Sequence, residues 1–128
     1  MLKFIGIGSC FNSKYGNTSA YYFDEAEQSL FLIDCGETVF SELDKRGMLK
    51  MLKDITVLIT HLHSDHIGSL PSLIFYAKFV LGIKPKVIFQ DKADLTEKVL
   101  FAVNPEMYIA YTPEEYNKQE RKYTVIAI

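Results

Sequence analysis

The sequence has no tryptophan and only two cysteines, Cys10 and Cys35, among 128 residues. Two isolated thiols exclude a disulfide framework and a cysteine-built zinc site. Positive charge is not in excess. The net charge of −2 gives no global field that would recruit a polyanion. The short basic clusters, Lys45-Arg46 with Lys50 and Lys53, and Lys84 with Lys86, read as a solvated helix face and a strand end. Long hydrophobic runs are also missing. No stretch reaches the roughly 18 residues of a membrane span, and Met1 to Gly6 lacks the apolar core of a signal peptide. A reduced, cytoplasmic setting is the default expectation. Histidine is scarce too: there are three, and all fall between His61 and His66.

What remains is ordinary for a globular protein, with 48% hydrophobic and 23% charged residues, eight tyrosines and nine phenylalanines. The length suits one domain over residues 1–128, and no repeat, low-complexity tract or linker divides it.

The informative stretch is Thr60-His61-Leu62-His63-Ser64-Asp65-His66. Ahead of it, Ile55-Thr56-Val57-Leu58-Ile59 is apolar and β-branched, the pattern of a buried strand. Behind it, apolar residues recur at Ile67, Leu70, Leu73, Ile74, Ala77, Val80 and Leu81, which is helical spacing. The cluster therefore occupies a strand-to-helix loop, where α/β sheets hold ligands on a rigid base. Neutral imidazole and carboxylate are ligands for zinc and its first-row neighbours. An extended backbone can aim His61 and His63 at one ion, and a turn into the helix can aim Asp65 and His66 at a second point nearby. Histidines that merely cap a helix are the alternative, but four ligand-type residues in six positions favour a metal site.

Elsewhere the chain reads as an alternation of strands and helices. Strands are expected at residues 2–7, 21–23, 30–33, 87–89 and 123–128, with 24–28 a polar connection and 10–17 a loop. Thr38 to Arg46 reads as a helix stopped by Gly47, and Met48 to Leu52 as a short apolar helical turn. A helix after the histidines has Ser69 as its N-cap, Pro71 in its first turn and Gly82 as its stop. Residues 92–103 read as an amphipathic helix, and Met107 to Tyr111 as either a helix or a face that other chain covers. Asp34 ends a strand, where it can cap the helix that starts near Glu37.

The order His61-Leu62-His63-Ser64-Asp65-His66 after a core strand resembles the H-x-H-x-D-H signature of the metallo-β-lactamase superfamily. Leu70-Pro71-Ser72-Leu73-Ile74, the upstream Asp34-Cys35-Gly36-Glu37 and the turn Gly6-Ile7-Gly8-Ser9 are similar to its ribonuclease Z-like phosphodiesterase branch. The resemblance implies an α/β fold, the N-terminal half of an αββα sandwich. It also implies a metal-dependent hydrolase with two zinc ions (manganese or iron as substitutes) that activate a water to attack a phosphodiester in RNA or a cyclic nucleotide. His61, His63, Asp65 and His66 would be metal ligands, Asp65 would also orient the attacking water, and Asp34 would stand behind the histidines as their brace. Other hydrolase chemistry on the same loop, such as thioester or lactam cleavage, and a non-catalytic interaction module are the alternatives.

The family's remaining ligands, a third histidine, a bridging aspartate and a final histidine, lie downstream of the matching stretch, and this chain has no histidine after His66. Four ligands shared by two ions leave each under-coordinated, unless carboxylates such as Asp91 or Asp94 contribute. The expectation is an N-terminal part that is inactive alone, with an apolar sheet face left for the C-terminal half or a second copy in a homodimer. Phe11-Asn12, Lys14-Tyr15-Gly16, Ser69 and Ser72 depart from ribonuclease Z proper, which leaves a cyclic nucleotide as open as RNA.

Overall fold

The computed structural model describes residues 2–8, 16–119 and 123–125. Six strands form one mixed sheet in sequence order: β1 (Lys3–Gly6), β2 (Ser19–Asp24), β3 (Ser29–Ile33), β4 (Asp54–Leu58), β5 (Lys86–Ile88) and β6 (Ile109–Tyr111). β2 pairs antiparallel with both β1 and β3, whereas β3 through β6 are parallel. Parallel neighbours require crossovers. These are supplied by α1 (Val39–Lys45), by α2 (Ser64–Ile67) with α3 (Leu70–Tyr76), and by α4 (Lys92–Lys98).

Strand alternation sorts the side chains onto two faces. One face carries Ile5, Leu30, Leu32, Ile55, Val57 and Val87, and packs on Val39, Leu43, Leu70, Leu73, Ile74 and Leu95 of the helices in one continuous core. The other face carries Phe31, Leu58, Ile88 and Tyr111. It is not bare. After β6, helix α5 (Pro113–Asn117) brings Tyr116 onto Ile88, and Val125 joins the same cluster. α5 is fixed by a capping box in which the Thr112 hydroxyl accepts from Glu115 N and the Glu115 carboxylate accepts from Thr112 N. Part of this face stays open as an apolar groove of about 360 Å³, lined by Phe31, Ile33, Leu58 and Tyr123 among others.

Several sequence expectations are corrected by the fold. Met48 to Leu52 is a turn rather than a helix: Leu49 and Leu52 are buried, and Met51 is exposed. The helix expected over 92–103 ends at Lys98, and Leu100 and Val103 reach the core from the turn that follows. Met107 to Tyr111 resolves into a 3₁₀ turn (Pro105–Met107) and the edge strand β6. Residues 123–125 are not a strand, and 126–128 lie outside the described residues, as do Cys10 and most of the 10–17 loop. The long helix does stop at Gly82, which adopts the left-handed conformation at φ 68°. Its last turn, Ala77–Leu81, is a π-helix, and that extra residue shifts the phase so that Val80 faces solvent rather than the core. Among the described residues, no helix is long and apolar enough to cross a membrane.

Candidate metal centre

The site grows from two adjacent parallel strands. β3 ends at Ile33, and Asp34 N still donates to Leu58 O of β4 at 2.8 Å. Asp34 itself then adopts a left-handed conformation, φ 65°, which aspartate tolerates better than most residues. Its carbonyl is held by the Ser19 hydroxyl at 2.9 Å. This turn lifts the chain out of the sheet and points the buried Asp34 carboxylate across to the end of β4.

There the carboxylate collects three hydrogen bonds. Thr60 N donates to Oδ1 at 2.7 Å, Thr60 Oγ1 donates to Oδ2 at 2.7 Å, and His66 Nδ1 lies 2.7 Å from the same Oδ2. Asp34 does not cap a helix. α1 begins at Val39, with Thr38 in the N-cap position.

Thr60 to Leu62 carries no helix or strand, and His63 keeps an extended backbone (φ −73°, ψ 151°) before α2 begins at Ser64. This arrangement brings the predicted residues together. One potential ligand atom from each of His61, His63 and Asp65 lies within 4.8 Å of the others. His66 adjoins the group, with its ring 3.8 Å from that of His61 and its Nε2 3.3 Å from Asp65 Oδ2. His61 and His63 are exposed, whereas Asp65 and His66 are half-buried. Asp91 and Asp94 stay apart from the cluster: Asp91 caps α4 by accepting from Asp94 N, and Asp94 pairs with Lys98.

The donor chemistry fits a cation. His66 Nδ1 faces Asp34 Oδ2 at 2.7 Å while its Nε2 faces Asp65 Oδ2 at 3.3 Å, so a metal-ligating nitrogen and a carboxylate oxygen point at each other. A positive ion between them satisfies both. Imidazole nitrogens and carboxylate oxygens at these separations need only small side-chain adjustments to reach bonds of about 2.0–2.2 Å.

Cys35, Gly36 and Ser69 hold α2 in place. Cys35 N donates to His66 O at 2.7 Å, and Ser69 N donates to Cys35 O at 3.1 Å. A Cβ on Gly36 would overlap the Asp65 carbonyl oxygen, so only glycine lets α2 approach. Ser69 occupies the N-cap position of α3, though its hydroxyl makes no capping bond. Instead it donates to Gly36 O and accepts from Phe40 N. Because these bonds link segments about 30 residues apart, no local pattern announces them. Burial pushes the Cys35 thiol up to about 12, which makes it a packing residue rather than a nucleophile.

A family model described as anti-Pycsar protein Apyc1 matches residues 1–102. The anti-Pycsar protein Apyc1 of Paenibacillus sp. (strain J14) is 42% identical over 85 residues, covering 66% of this chain and 33% of that protein. The zinc phosphodiesterase ELAC protein 2 homolog of Caenorhabditis elegans is 36% identical over 78 residues, 57% of this chain and 9% of its own. The chain thus spans about a third or less of the curated relatives it matches. Among solved structures, the metallo-β-lactamase fold protein YhfI from Bacillus subtilis superposes with a TM-score of 0.66 at 20% identity, covering 87% of this chain and 44% of that one. The six-stranded sheet with its helical layer is therefore half of a metallo-β-lactamase fold.

Proposed function

We propose that this chain, which belongs to the anti-Pycsar protein Apyc1 family, is part of a metal-dependent hydrolase and carries the H-x-H-x-D-H half of a phosphodiesterase site. The observation that carries this reading is the convergence of His61, His63 and Asp65, with His66 pressed between Asp65 and Asp34. His61 and His63 would hold one ion, and Asp65 and His66 a second, with zinc the first choice and manganese or iron as substitutes. When bound, such ions lower the pKa of water towards about 7 and neutralise charge on phosphoryl oxygen.

The protein's own groups do the rest. Asp65, half-buried at the start of α2, orients the attacking water and accepts its proton. Asp34 keeps the His66 ring fixed by accepting from Nδ1, so that Nε2 stays presented to the site. The proposed substrate is a phosphodiester in RNA or a cyclic nucleotide, met in the cytoplasm. The net charge of −2 gives this chain no global positive field to recruit a polyanion, which keeps a cyclic nucleotide as open as RNA. The remaining ligands would come from residues outside this chain, either a C-terminal half or a second copy. Residues 1–128 alone are then expected to lack hydrolase activity.

The test is an assay on an activated phosphodiester with a longer chain that supplies the downstream ligands. Activity is expected there, with loss by orders of magnitude in Asp65→Ala despite retained folding. Equal activity in Asp65→Ala would overturn the proposed role of that carboxylate.

A further inference from the structure

We propose that Thr60 is a positioning residue, whose hydroxyl fixes the tautomer of His61 and thereby presents that ring's Nε2 lone pair to the metal. The inference rests on the metal reading above and adds to it a residue outside the H-x-H-x-D-H set. Thr60 lies just past the end of β4. Its N–H donates to Asp34 Oδ1 and its hydroxyl to Asp34 Oδ2, both at 2.7 Å. A carboxylate is an acceptor only, so the single hydroxyl proton is committed to Asp34.

What remains on Thr60 Oγ1 is a pair of lone pairs, and His61 Nδ1 lies 3.2 Å away. His66 Nδ1, at 3.5 Å, is already engaged by Asp34 at 2.7 Å. Thr60 can then only accept from His61, which places the imidazole hydrogen on Nδ1. A neutral ring carries one N–H, so Nε2 keeps the lone pair that a metal takes up. The opposite tautomer would draw the hydroxyl proton away from Asp34 and leave two bare oxygens 2.7 Å apart. That sacrifices a charge-assisted hydrogen bond, the stronger kind. Asp34 therefore orients two rings at once, His66 directly and His61 through Thr60, and those rings stand 3.8 Å apart.

The test uses the 128-residue chain, ¹⁵N-labelled and metal-free at about pH 8, where imidazole is neutral. Two-bond ¹H–¹⁵N correlation spectra read the His61 tautomer directly. The expected result is the Nδ1–H form in the parent. In Thr60→Val a mixture with the Nε2–H form should appear, together with about a 10- to 100-fold loss of zinc affinity. Thr60→Ser should restore both. A parent His61 in the Nε2–H form would overturn the proposal without any variant, as would a Thr60→Val chain with unchanged tautomer or a Thr60→Ser chain that fails to recover. A Thr60-dependent tautomer in a chain that binds no zinc would sustain the hold of Thr60 on His61 and overturn the metal reading instead.

Discussion

At the scale of single residues, the Asp34 carboxylate links the two strands that build the site. It is buried, takes three hydrogen bonds from Thr60 and His66, and sits in a left-handed backbone conformation that its neighbours hold in place. Asp34→Ala leaves Thr60 N and His66 Nδ1 without their acceptor. Zinc affinity measured by competition with a chromophoric chelator is expected to drop about 10- to 100-fold, with the helical layer intact by circular dichroism. Unchanged affinity would show that Asp34 is a turn residue only. The proximity of His61, His63, Asp65 and His66 was legible in the sequence because four ligand-type side chains stand within six positions of one loop. Asp34 was legible as a brace only through family resemblance. Thr60 was silent, since a threonine ending an apolar strand is unremarkable until Asp34 and His61 are seen on either side of it.

At the scale of elements, the metal loop depends on how tightly α2 sits against the turn after β3. Gly36 touches the Asp65 backbone, and Ser69 links that turn to the start of α1. Gly36→Ala forces a methyl group against a backbone carbonyl. It is expected to cost about 1–3 kcal/mol in urea unfolding, and to lower zinc affinity as Asp65 shifts. Ser69→Ala leaves Phe40 N–H without this acceptor and removes one of two donors to the buried Gly36 carbonyl, which Val39 N still reaches at 3.1 Å. A loss of about 1–3 kcal/mol is expected in the same measurement. A Ser69→Ala chain as stable as its parent would mean that water replaces the hydroxyl.

Local pattern served well where one physical rule governed an element. β4 is β-branched and apolar, α1 is bounded by Thr38 and Gly47, and the long helix ends at the left-handed Gly82. Pattern failed where tertiary packing competed with it. Leu49 and Leu52 reach the core from a turn, Leu100 and Val103 do so past the end of α4, and the π turn at Ala77–Leu81 rotates Val80 outward. The Ser69 hydroxyl serves a carbonyl more than thirty residues away rather than its own helix.

At the scale of the whole molecule, the sheet is covered unequally. Helices α1, α3 and α4 cover the core of one face, whereas the other keeps an apolar groove beside Phe31, Leu58 and Tyr123 and leaves Phe4 62% exposed. Tyr116 and Val125 protect Ile88, so the chain has more cover than a bare half-sandwich. Apolar area of this kind favours association. Sedimentation of residues 1–128 at rising concentration is expected to show self-association, and an ideal monomer throughout would count against it.

His61, His63, Asp65 and His66 are proposed to form a metal centre that this chain only part-completes. That proposal is tested most directly by metal content per chain after exhaustive dialysis, with His63→Ala measured in parallel. The parent is expected to retain some zinc, short of a full pair of ions, and His63→Ala distinctly less. Retention of no metal by the parent, or the same content in both chains, would contradict the proposal.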